Sequence, residues 1–272
     1  MKLFISADIE GISGVTNNEH SSSTGRLHNE ARKWMTGDVN AAVEGAYTAR
    51  VTEVLVKDAH GSALNIIPDE LDERATLIQG WGVQDGMMEG LREEHGLVFL
   101  VGYHAMSGSA DGVLSHTWSG APRSLRVNGT EMGEMGISAL FAGALGVPVG
   151  LVTTCETGKR QARELLPWVE AVAVKRGITR GAAELLPIKR AQQLIREAAQ
   201  RAVERAGDMK PLLVTPPVVV EMTWSSPQMA VACALLPGVE QVDTYTSRYT
   251  AEDQLGAMRQ LRHLLNAAHQ SG

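Results

Sequence analysis

Short apolar runs rich in β-branched residues alternate with longer stretches whose apolar positions recur at helical spacing, and this alternation governs the first half of the chain. The runs at residues 3–7, 53–57, 97–102 and 148–153 read as strands. Between the first two, residues 29–49 place Ala31, Met35, Val39, Ala42, Val43 and Ala46 close to a helical period. A further helix opens near Gly133, runs through Leu140 to Leu145 and stops at Gly146, with Pro148 just beyond. Strands separated by helices of this length predict βαβ units and a parallel sheet.

The second half is less regular. It reads as helices at 159–166, 188–206, 227–235 and 251–268 and strands at 169–174, 217–223 and 239–246, with Pro167, Gly177, Pro187, Pro211, Pro216 and Pro217 marking loops. The expected fold is α/β. An amino-terminal domain, residues 1–158, has helices on both faces of a parallel sheet and carries the chemistry. A smaller α+β carboxy-terminal domain, residues 159–272, serves assembly and substrate access.

Composition narrows the function classes. The 272 residues suffice for a hydrophobic core without covalent staples. Cys155 and Cys233 lie far apart in apolar surroundings and read as reduced, buried side chains, which favours the cytoplasm. The segment KLFISADIEG meets acid sooner than a secretory signal would, and no run approaches the roughly 18 apolar residues of a membrane span. A net charge of −6 with interspersed signs argues against a nucleic-acid or membrane partner.

Ligands in open α/β sheets gather beyond the carboxyl ends of the strands, so what each strand runs into is informative. The first runs into Asp8 and Glu10, the second into Asp58 and His60, the third into His104. A spacing of two puts Asp8 and Glu10 on one side if the extended backbone continues, and a divalent cation makes such convergence of carboxylates tolerable. Glu131 and Glu134 flank the start of the helix near Gly133, where Asn128-Gly129 reads as a hairpin turn. Singly, a histidine after a strand is most often structural, and a strand-end aspartate often only caps a helix. Four such endings together outweigh that reading. Two histidines and three or four carboxylates exceed what one catalytic zinc takes and suit two metals about 3.5–4 Å apart, with Asp58, Glu131 and Glu134 competing for the last places. His116 sits in the Gly-rich stretch 111–120, either as a proton-transfer or oxyanion group or simply packed on Trp118. His20, His28, His95, His263 and His269 read as solvated.

With Asp8-Ile9-Glu10-Gly11-Ile12-Ser13-Gly14, Asp58-Ala59-His60, Gly102-Tyr103-His104-Ala105, Leu114-Ser115-His116 and Gly133-Glu134-Met135-Gly136 in this order, the chain resembles the zinc D-aminopeptidases of the DppA type over essentially its whole length. The resemblance implies two zinc ions per chain. Asp8 would bridge them, Glu10 and His60 completing one metal, His104 and Glu134 the other, with His116 catalytic and Asp58 orienting a ligand from behind. It further implies hydrolysis of an amide bond next to a free amino terminus, in small D-aminoacyl peptides or amides, by a water shared between the metals, and assembly as a homodecamer. The segments Val174-Lys175 and Ile178-Thr179-Arg180 are also similar to the family, without an assigned role. One departure stands out: Thr154-Cys155-Glu156 replaces the family's Gly-Asp-Asp run, which leaves the exact substrate open. The rival expectations are a two-metal phosphoester hydrolase, for which only Arg123 and Arg126 offer nearby cations, and a non-catalytic oligomeric metal-binding protein.

Overall fold

The computed structural model of the chain describes residues 1–82 and 84–270. In chain order the elements are β1 (Lys2–Ala7), α1 (Asn18–Ser21), α2 (His28–Thr48), β2 (Glu53–Asp58), β3 (Ala75–Ile78), β4 (His95–Val101), β5 (Pro122–Val127), β6 (Thr130–Glu131), α3 (Glu134–Ala144), β7 (Val149–Cys155), α4 (Glu156–Leu165), β8 (Glu170–Thr179), β9 (Ala182–Leu185), α5 (Ile188–Glu204), β10 (Val218–Trp224), α6 (Pro227–Cys233), β11 (Val239–Gln241), β12 (Thr246–Ala251) and α7 (Gln254–His269).

The larger sheet has the order β3-β2-β1-β4-β7-β8-β9 and is parallel except for the β8-β9 hairpin at its edge. Its central strands β1, β4 and β7 are buried on both faces, as a parallel sheet requires. Leu3 and Ile5 of β1 pack with Met35 and Val39 of α2 and Ile195 and Ala199 of α5, while Phe4 turns to the other core with Leu140 of α3 and Ala162 of α4. Helices on both faces of a parallel sheet are thus what the alternation of runs predicted. A smaller antiparallel sheet, β11-β12-β10-β5-β6, packs through Val220 and Met222 into that second core together with α6 and α7. β8 and β9, from beyond residue 158, extend the large sheet; β5 and β6, from before it, complete the small one.

Several segments differ from the sequence reading. α1, β3, β5, β6 and β9 went unread, being brief or of mixed polarity. The run read as one strand at 239–246 holds β11 and only the first residue of β12; residues 247–250 went unread and Ala251 was read as helix, yet 246–251 are strand because they pair with β10 across a full register. The helix begins only after Asp253, whose carboxylate accepts from the Gly256 amide at 2.7 Å. The Asn128-Gly129 turn is found where it was read, both residues at positive φ (48° and 80°), joining β5 to β6.

Candidate metal centre

The sheet order reverses between β1 and β4, which makes the carboxyl ends of these two strands the switch point where ligands collect. The loops leaving them are joined backbone to backbone. Asp8 N–H donates to Val101 O at 2.8 Å and Gly11 N–H to Gly102 O at 2.7 Å. A Cβ at Gly11 would lie 1.9 Å from the Tyr103 carbonyl oxygen, so only glycine permits this approach. The Ala59 amide, just after β2, donates to Ala7 O at 2.8 Å and brings His60 alongside. Gly133 precedes α3, so Glu134 enters from a helix amino terminus, which suits a carboxylate.

These connections gather Asp8, Glu10, His60, His104 and Glu134. His60 Nδ1 lies 3.2 Å from Asp8 Oδ1 and 3.1 Å from Glu10 Oε2, and its Nε2–H donates to Ser21 O at 2.9 Å. His104 Nε2 lies 3.5 Å from Asp8 Oδ2 and 3.2 Å from Glu134 Oε1, and its Nδ1–H donates to Ala105 O at 3.0 Å. In both histidines a backbone carbonyl occupies one ring nitrogen and leaves the other facing carboxylates, the arrangement of a metal ligand held in one tautomer. The two oxygens of Asp8 face different histidines. Buried Glu10 Oε2 and His104 Nε2 complete no hydrogen bond of good geometry despite their charged neighbours at 3.1 and 3.2 Å, a costly state that a cation would relieve. Asp8, Glu10 and His104, and separately His104, His116 and Glu134, bring ligand atoms within 4.8 Å of one another. The donor set of nitrogen and carboxylate oxygen fits zinc.

The electrostatics agree. Burial and the Glu10 charge push Asp8 up to about 7. Burial works to raise Glu10 as well, but His60 outweighs it and holds that carboxyl well below its usual range. His60 and His104 are both raised, His104 to about 10, because the carboxylates around them overcome burial.

His116 stacks its ring on His104, with centroids 4.0 Å apart and planes at 12°, and not on Trp118. Its Nδ1–H donates to Leu114 O at 2.7 Å, and Nε2 lies 3.7 Å from Glu134 Oε1. Burial and the neighbouring His104 charge lower its pKa, so the ring is neutral at pH 7. The supporting loop is strained, with Leu114 and Trp118 at φ of 50° and 60°. Arg180 holds it from behind: its carbonyl accepts from Leu114 N–H at 2.8 Å and its Nε–H donates to Ser115 O at 3.0 Å. Trp118 N–H donates to Glu134 Oε1 at 2.6 Å.

Several sequence expectations are corrected. Asp58 does not touch the His60 ring. Its carboxylate accepts from the Asn65 and Ile66 amides and the Asn65 side chain, and Asn65 in turn donates to His60 O at 2.7 Å, so Asp58 shapes the backbone of the loop. Glu131 is exposed and pairs with Arg126 in the β5-β6 hairpin. His20 and His95 are buried and not solvated. His269 Nε2 meets Ser119 Oγ at 3.0 Å and borders the cavity beside the cluster. That cavity, about 580 Å³, is also lined by Trp81, Met88, Phe141 and Arg262. Trp81 and Arg262 were missed because one lies in an irregular loop and the other reads as a charge on an amphipathic helix. None of Thr154, Cys155 and Glu156 lines the cavity.

Comparison with known proteins places this geometry in a family. A model described as D-aminopeptidase, peptidase M55, matches residues 1–263. A D-aminopeptidase of Bacillus subtilis (strain 168) is 34% identical over 260 residues, 94% of each chain. The solved structure of the Zn-dependent D-aminopeptidase DppA from Bacillus subtilis, a self-compartmentalizing protease, superposes with a TM-score of 0.97 at 31% identity, covering 100% of this chain and 99% of that one. A full-length match of this kind, on a chain that brings five side chains able to hold a metal to the switch point of its sheet, means that the protein belongs to the D-aminopeptidase family M55.

Proposed function

We propose that the protein is a two-zinc aminopeptidase that hydrolyses the amide bond next to a free amino terminus, with short D-aminoacyl peptides or amides as substrates. The observation that carries this reading is Asp8. Its two oxygens face His60 and His104 respectively, and Glu10 and His104 bring ligand atoms within 4.8 Å of it. Asp8 would be shared, with Glu10 and His60 holding one zinc and His104 and Glu134 the other. When bound, zinc supplies a water acidified toward neutral pH and polarisation of the scissile carbonyl.

The chain's own groups do the rest. Neutral His116 keeps its proton on Nδ1, tied to Leu114 O, so Nε2 is the atom that takes a proton during attack and returns it to the departing amine. Arg180 and the Trp118 amide fix the loop that aims it. Trp81, Met88 and Phe141 give the cavity apolar walls that exclude water. α7, from the 159–272 segment, closes one side, which supports a role for that segment in substrate access. The two cations that the rival phosphoester reading relied on lie elsewhere. Arg126 pairs with exposed Glu131, Arg123 rests over Tyr245, and neither lines the cavity. A homodecamer in the cytoplasm remains part of the proposal; both cysteines are free thiols, and among the described residues no helix is long and apolar enough to cross a membrane.

The test is elemental analysis together with a panel of D- and L-aminoacyl amides on zinc-loaded protein. About two zinc ions per chain and preferential turnover of the D series are expected. Metal content near zero after reconstitution, or turnover of phosphoesters and not amides, would overturn the proposal.

A further inference from the structure

α7 presents Met258, Arg262, Leu265, Asn266 and His269 to the cavity, positions that recur along one face of a helix. Arg262 is the charged member of that face, and it is unspent. Its Nη1 is buried without a hydrogen-bond partner, and among the described residues no carboxylate forms an ion pair with it. Asp85, an acid that lines the same cavity, is committed to Arg259 one turn before Arg262, at 2.9 Å. The guanidinium lies 5.9 Å from the Trp81 ring, at the outer limit of a cation–π contact, and that contact leaves Nη1 unused. A second cation borders the same indole: Lys57 Nζ is 4.7 Å from the ring, but it already donates to Gly80 O at 2.6 Å. Trp81 in turn donates from Nε1 to Gly61 O at 2.7 Å, next to His60. Arg262 is therefore one indole ring away from the loop that carries a metal-ligand residue, in the same cavity.

A buried guanidinium N–H without an acceptor costs free energy in the empty protein. That cost is recovered when an anion arrives, and a planar fork of donors matches a carboxylate. We propose that Arg262 is the subsite for a substrate carboxylate, the free carboxyl terminus of a peptide two or three residues long. The proposal rests on the aminopeptidase reading. If the amino end of the substrate is at the metal cluster, the group that every short peptide carries at its other end is a carboxylate, and Arg262 is the cation of this cavity with donors to spare. The cavity volume, about 580 Å³, is that of a small-molecule site and suits such a peptide. A simple aminoacyl amide, which lacks that carboxylate, would be a poorer substrate.

The experiment compares D-alanylglycine with D-alanylglycinamide, and D-alanylglycylglycine with its amide, on the zinc-loaded protein and its Arg262→Met and Arg262→Lys variants. For at least one pair the wild type should favour the free acid by about 10- to 100-fold in kcat/KM, chiefly through KM, the scale of one charge-assisted hydrogen-bond pair. Arg262→Met should erase that preference, costing the free acids at least about tenfold more than the amides, and Arg262→Lys should keep part of it. Equal use of acid and amide by the wild type, or an equal loss on both in Arg262→Met, overturns the proposal. If nothing is hydrolysed, the aminopeptidase reading is what fails. The carboxylate subsite is then decided by calorimetry with the reduced-bond analogues of the same dipeptide, acid against amide: a preference for the acid that Arg262→Met abolishes supports it, and equal affinity refutes it.

Discussion

Lys175 is enclosed within the protein and gives its three N–H bonds to the carbonyls of Glu10, Ile12 and Val15, at 2.6, 2.8 and 2.6 Å. Burial lowers its pKa to about 8, which still leaves it charged at neutral pH. From the other side, Asp38 accepts from the amide and hydroxyl of Ser13 at 2.9 and 2.7 Å. The turn that carries Glu10 is thus held by two side chains from distant elements. Lys175→Met would leave three carbonyls without a donor, and we expect a loss of about 3 kcal/mol or more in stability with weakened zinc retention. Chelator competition and thermal unfolding check this; a variant with native zinc affinity would show that the turn holds without it. His116→Ala should behave differently. It should keep both metals and the native melting temperature while kcat falls by about 10² to 10⁴. Zinc loss in that variant would instead make His116 a ligand, as its place in the cluster with His104 and Glu134 allows. The residues that converge on the centre were legible because each directly follows a strand or opens a helix. Their partners were not: the Ser21 carbonyl that fixes His60 and the Asn65 side chain that engages Asp58 belong to segments no local pattern connects.

Among the elements, those with a strong period were read to within a few residues, and the errors fell where pairing overrides local preference. β12 is strand because β10 and β11 lie on either side of it, and nothing in residues 246–251 alone announces that. β5 likewise breaks strict alternation, with Pro122, Leu125 and Val127 buried, and is fixed as a strand by pairing with β10 through a register shift near Arg123. The loops after β1 and β4 teach the opposite lesson, since a single glycine decides their fit. Gly11→Ala would drive a methyl group into the Tyr103 carbonyl and the Gly102 backbone, so the two loops must part. We expect markedly lower zinc affinity and a lower melting temperature. Gly181→Ala, at a position with open space and no positive φ, is the control and should match the wild type. Equal behaviour of the two variants in a zinc titration would refute the close-contact account.

At the scale of the whole molecule, a bound metal stabilises only the folded state, because the ligands come together from β1, β2, β4 and α3. Removing zinc with a chelator should therefore lower the melting temperature reversibly, and the loss should be absent in Asp8→Ala, the shared ligand. Exposed apolar side chains, Leu235 at 83%, Leu213 at 66% and Ile178 at 59%, accompany the expectation of an oligomer. Light scattering should report a mass several times the 29.2 kDa chain; a clean monomer at micromolar concentration would contradict it. The small sheet was the least legible part of the architecture, because it recruits β5 and β6 from the middle of the chain to strands near its end, a long-range exchange that local patterns do not encode. The backbone welding of the β1 and β4 loops has one more consequence. The residues that would hold the metals are locked to the sheet, whereas one wall of the cavity is supplied by α7, whose Met258, Arg262, Leu265 and Asn266 can be rewritten without touching those loops. A lineage, or a library of variants, can therefore exchange one appetite for another on α7 while inheriting the same reactive centre intact.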